Sequence, residues 1–148
     1  MDAIHRIEHW ADTHHPIWLD YLRVVLGLFI CYKGLMFIMD TEALMAILQG
    51  SDFGAVSNMA WVHIVAFAHL MGGLLIAMGL VTRFAVALQI PILIGAIIFV
   101  NAKTGFFSAA NNLELEISII SLVLLIVFLI YGGGKFSIDE YMRKHPHN

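Results

Sequence analysis

Long apolar runs separated by short polar breaks dominate the chain, and four of the runs are long enough to cross a bilayer. Residues 60–80, AWVHIVAFAHLMGGLLIAMGL, carry no formal charge and are closed by Thr82 and Arg83. At ~1.5 Å rise per residue such a helix covers the ~30 Å hydrocarbon core. Ala66, His69, Gly73 and Ala77 fall on one stripe of it, a small-residue seam on which a neighbouring helix can approach closely. The same seam turns His69 toward the protein interior, and an intramembrane ionisable residue is a functional-site hypothesis by default.

The other spans fall at residues 17–39, 84–101 and 113–131. The first follows Pro16, has Trp18 and Tyr21 at its boundary, and carries Gly27 and Gly34 as a second close-packing seam. Asp20 and Arg23 sit one turn apart near its start, where they are expected to pair and snorkel toward water. Lys33 lies about six residues before its far end, deep enough to count as a candidate site residue. Residues 40–59 form an acidic loop in which Thr41 is expected to cap a short amphipathic stretch, EALMAILQ, lying on the membrane face as a lid. The break between spans two and three is only a tight turn, so they are antiparallel neighbours. Span three holds Gln89 and Pro91, and a kink is expected at the proline. Span four opens on a polar stripe of Asn111, Glu114, Ser118 and Ser121, with Glu116 on another face as a solvated end residue. Gly132, Gly133 and Gly134 end it, and residues 132–148 are expected to be a polar cytoplasmic tail.

Residues 1–16, MDAIHRIEHWADTHHP, have no apolar stretch or small-residue cleavage site of a secretory signal, so the first span is expected to be retained. Ile4, Ile7, Trp10 and Ala11 recur at helical spacing, which predicts an amphipathic helix in the headgroup region. His5 and His9 are an i, i+4 pair, followed by His14 and His15. No nearby cysteine or ordered carboxylate completes a ligand set, so solvated interfacial histidines are the better reading and no metal site is assigned.

Composition fits a membrane protein: 60% of residues are hydrophobic and 13% charged, against about a quarter charged in soluble chains. The net charge of -3 offers no basic face for nucleic acid. The single cysteine, Cys31, excludes an internal disulfide or a CxxC pair and is expected to be a small buried hydrophobe. The 148 residues form one membrane domain, an all-α integral membrane four-helix bundle with an N-terminal interfacial helix. Arg6, Arg83, Lys135, Arg143 and Lys144 gather on one side, with Arg23 at that end of span one, against Lys103 alone on the other. The positive-inside rule therefore puts both termini in the cytoplasm.

In that orientation Lys33, His69, Asn101 and Glu114 all fall in the outer half of the bundle, one from each span, with Ser118 a turn beyond Glu114. A lysine, a histidine and a carboxylate at similar depth form a polar cavity, or alternatively a satisfied cluster that locks helix packing. His63 and His69 are about 120° apart around their helix and spans three and four have no histidine, so no haem is expected. No Ser, His and Asp grouping stands out, and no catalytic residue is assigned.

The stretches LRVVLGLFICYKGLMFI, AHLMGGLLIAMGLVTRFA and NLELEISIISLVLLIVFL and the ending GGGKFSID resemble the DoxX family of small bacterial membrane proteins over roughly residues 20 to 139. The most specific pieces are the GG-x4-GL-x-TR pattern from Gly72 through Arg83 and the LEL at residues 113–115. The resemblance implies a four-helix bundle in the bacterial inner membrane and an association with redox systems. Family members occur as a small subunit of a thiosulfate:quinone oxidoreductase and beside oxidative-stress enzymes. Glu114 matches a family position, and Lys33 lies near one where relatives often have lysine. Where many relatives carry glutamate before the glycine pair, this chain has His69. Three functions remain open: an accessory subunit of a membrane oxidoreductase with a quinone pocket, a carrier for a small apolar or anionic molecule, and a non-catalytic scaffold. Each is compatible with partner subunits or a homo-oligomer in the bilayer, and a free-standing enzyme is the weaker reading.

Overall fold

Pro16, extended at φ -77° and ψ 142°, starts the first helix, and its carbonyl accepts from Leu19 N at 3.1 Å. The computed structural model describes residues 16–42, 45, 59–104 and 112–145, the side chains of 99–104, 112 and 114 excepted. The expected interfacial helix of residues 1–15 and most of the expected lid lie outside the described residues. Within them the protein is all-helical: α1 (Ile17–Met39), α2 (Met59–Met78), α3 (Thr82–Thr104), α4 (Asn112–Tyr131) and a short α5 (Ile138–Lys144). The first four form an antiparallel four-helix bundle in which α1 packs most extensively on α2, and α3 on α4.

Glycines set the α1–α2 distance. A Cβ added at Gly27 would stand 2.7 Å from Gly73 O, and one at Gly73 would stand 2.7 Å from Gly27 O. Gly34 likewise abuts the backbone of His69 and Leu70. Both seams expected from the sequence thus meet each other, backbone on backbone. Between α2 and α3 the Gln89 side chain donates from Nε2 to Ala68 O at 2.6 Å and fills the space over Gly72. Leu19, Leu26, Ile30, Ile76, Ala85, Val86, Leu125 and Phe128 form the main core, drawn from all four long helices and lying toward the α5 end.

The outward surface is apolar over the length of the bundle. Val25, Leu28 and Leu35 of α1, Ile64 and Phe67 of α2, Ile94 of α3, and Ile120 and Val123 of α4 are all exposed. An apolar belt of that extent is incompatible with water and fits lipid. α1 and α2 are each long and apolar enough to cross a membrane, at mean hydropathies of 1.9 and 1.8, with only about a third of either buried. This is an integral membrane protein.

The break between α2 and α3 is a helix cap followed by a strained residue. Gly79 at φ +68° lets its own N–H reach Ile76 O at 3.1 Å while Leu80 N reaches Leu75 O at 2.9 Å, the paired bonds of a Schellman cap. Val81, at φ 47°, is a β-branched residue in the left-handed region, a conformation that costs about 1–3 kcal/mol and persists only when neighbours hold it. α3 runs as continuous helix through Pro91, which lies on the exposed surface.

Candidate functional site

Two groups of polar side chains interrupt the apolar interior, one at each end. In the half away from α5, His69 is buried on the α1–α2 seam, and its Nδ1 lies 2.9 Å from Val65 O. A carbonyl only accepts, so Nδ1 carries the proton and Nε2 is the acceptor of the neutral ring. Phe37 meets the imidazole edge-on, centroids 5.3 Å apart at 81°. Lys33, half-buried one turn before Phe37, directly precedes Gly34, whose position abuts the His69 backbone. Two of the sequence-predicted site residues are therefore together. Ser118 is half-buried on α4, one turn before the buried Ser121. Asn101 falls in the last turn of α3 and Glu114 in the first turn of α4, with side chains outside the described residues.

Beside this pair an apolar groove of about 400 Å³ opens between the end of α1 and the start of α2, lined by Ile38, Thr41, His63, Ile64, Ala66 and Phe67. Its wall is continuous with the seam, since Phe37 packs against buried Val62 and Ala66. His63 stands at its edge with Nδ1 2.8 Å from Met59 O, which again leaves Nε2 as the acceptor. In the sequence His63 stands out only as a possible haem ligand. Its position three residues before Ala66 on the small-residue stripe was the available signal. Among the described residues no three His, Cys, Asp or Glu side chains gather as a metal site.

The second group corrects an expectation. Asp20 and Arg23 do pair, at 3.5 Å, but they do not snorkel: they are 3% and 1% exposed. The C-terminal segment covers them. Arg23 Nη2 donates to Phe136 O at 2.8 Å, and Phe136 N donates to Asp20 Oδ2 at 3.4 Å. The glycine turn that follows α4, with Gly132 and Gly134 both at positive φ, leads the chain back over the bundle end. Ser137 then caps α5, accepting from Glu140 N at 3.1 Å while its hydroxyl donates to Gly134 O at 2.7 Å. The cap aims Asp139 at the start of α3. Its carboxylate accepts from Val81 N at 2.7 Å and from Thr82 N and Oγ1 at 2.9 Å each, and its own N–H donates to Gly79 O at 3.0 Å. An acid at a helix N-terminus satisfies free N–H groups and the helix dipole together. The same bonds hold Val81 in its strained conformation. The tail is thus a clasp over a buried ion pair rather than a free polar segment.

The sequence model of the DoxX family matches residues 18–102, which is 85 of 148 residues. The chain belongs to the DoxX family. No curated protein and no solved structure matches it significantly. The DoxX match takes in nearly all of α1, all of α2 and most of α3, hence Arg23, Lys33 and His69, whereas Glu114 and the α5 clasp lie beyond it. In this DoxX protein Arg23, Ser137 and Asp139 tie helices together at the clasp end, while the opposite end places His69 and Lys33 near an apolar groove.

Proposed function

We propose that the protein is an accessory, non-catalytic subunit of a bacterial inner-membrane redox system, binding a quinone-like molecule in the half of the bundle away from α5. The observation that carries this reading is buried His69, with half-buried Lys33 nearby, beside an apolar groove at the end of α1 and the start of α2. A quinone needs an apolar slot for its ring and tail and a few convergent polar groups for its oxygens. Ile38, Ile64, Ala66 and Phe67 supply the first. Thr41 and His63 at the groove supply the second, with Lys33 and His69 about two turns away along α1 and α2. With both termini cytoplasmic, as the exposed Lys135, Arg143 and Lys144 favour, this half faces the outer side of the membrane.

The test is to extract the full chain in lipid-preserving nanodiscs and identify every small molecule and polypeptide that accompanies it by mass spectrometry. A stoichiometric quinone and a redox partner are expected, the quinone being lost in Lys33→Met and His69→Phe. Retention of quinone in both variants would move the ligand elsewhere. An anionic metabolite in its place, lost only in Lys33→Met, would favour a carrier with Lys33 as counter-charge.

A further inference from the structure

We infer that the segment from Phe136 through Lys144 is a membrane-interface seat that docks onto the headgroup and glycerol layer of the adjacent phospholipid leaflet. Three independent observations meet there. First, the segment is tied to the α2–α3 turn: Asp139 N to Gly79 O, and the Asp139 carboxylate to Val81 and Thr82. That turn joins two lipid-embedded helices, so α5 is held at the level where hydrocarbon gives way to headgroups. Second, the side chains left outward are the wrong ones for water. Ile138, Tyr141 and Met142 share one face at i, i+3 and i+4, and with Phe136 all four are exposed, Phe136 and Tyr141 at 65% each. Exposed Val81 and Phe84 continue this surface onto the lipid-facing side of α3. Third, the charges are sorted. Asp139 is engaged by the α3 cap, and Glu140, its side chain 16% exposed, pairs with both Arg143 and Lys144, which lie over it and are themselves 60% and 65% exposed. The outward face therefore presents aromatic and aliphatic groups flanked by cations, which matches the glycerol and phosphate layers of a phospholipid.

The test uses the full chain with Cys31→Ser, carrying a nitroxide at Phe136→Cys or at Met142→Cys, in nanodiscs containing anionic phospholipid. Collision rates with oxygen, which concentrates in lipid, are compared with those of a water-soluble nickel chelate. Oxygen-dominated collisions at both positions are expected. Adding Arg143→Gln and Lys144→Gln should shift the inserted-to-free ratio toward water by about fivefold per charge removed, since each base near an anionic surface contributes about that factor. Nickel-dominated collisions at both positions would overturn the inference by placing the segment in water. Protection from both reagents would overturn it equally, because a protein partner would then cover the face.

Discussion

Gly73→Ala should loosen the whole α1–α2 interface, because the atom it adds meets backbone rather than a side chain. The new Cβ would stand 2.7 Å from Gly27 O and closer still to Cys31 N. Ordinary contact begins at 3.4 Å, so the helices must separate by at least 0.7 Å (3.4 − 2.7). A gap of that size forfeits a quarter to a half of the dispersion energy of each contact it opens. In lipid, packing of this kind replaces water expulsion as the force between helices. Overpacking typically costs about 1–3 kcal/mol, and with the backbone unable to swing aside a loss of about 2 kcal/mol is expected. Reversible unfolding in bicelles, or steric trapping in the same medium, measures it. Gly27→Ala should cost about as much for the mirror-image reason. The double variant should fall short of the sum by more than the ~0.5 kcal/mol scatter of independent sites, since one displacement accommodates both methyls. Gly73→Ala at native stability, or a strictly additive double, would refute the close-contact account.

The clasp makes its own predictions. Asp139→Ala removes the acceptor of three hydrogen bonds and should destabilise the bundle end by at least about 1.5 kcal/mol, read as faster hydrogen exchange at the Val81 and Thr82 amides. Arg23→Met leaves the Asp20 charge buried and should cost about 3–5 kcal/mol, while Asp20→Leu with Arg23→Met should recover much of it; a double variant as unstable as Arg23→Met alone would count against the buried pair.

The span pattern was legible because lipid imposes a length and a polarity on every crossing segment, and Gly27, Gly34 and Gly73 announced the seam at which α1 and α2 touch. The clasp was not legible, for a physical reason. A boundary Asp20–Arg23 pair has the same composition and spacing whether it reaches water or is covered, and the cover comes from residue 136, far along the chain. One local signal was present: Ser137 and Glu140 have the S-x-x-E spacing of a capping box, and Ser137 does cap α5. It announces a helix within the polar tail, though not the landing of Asp139 on Thr82.

The burial of Arg23 also bears on how the protein is made. The guanidinium donates to a carbonyl 113 residues further on, so no partner of that kind exists while the early helices enter the membrane. At about 5–20 residues per second of synthesis, roughly 6–23 s pass between the emergence of Arg23 and that of Phe136. Through that interval Asp20, one turn away on the same helix, is the partner within reach of Arg23. Cover of the ion pair by the Phe136 segment therefore comes long after α1 has emerged, so a chain cut before Phe136 is expected to leave Asp20 and Arg23 uncovered.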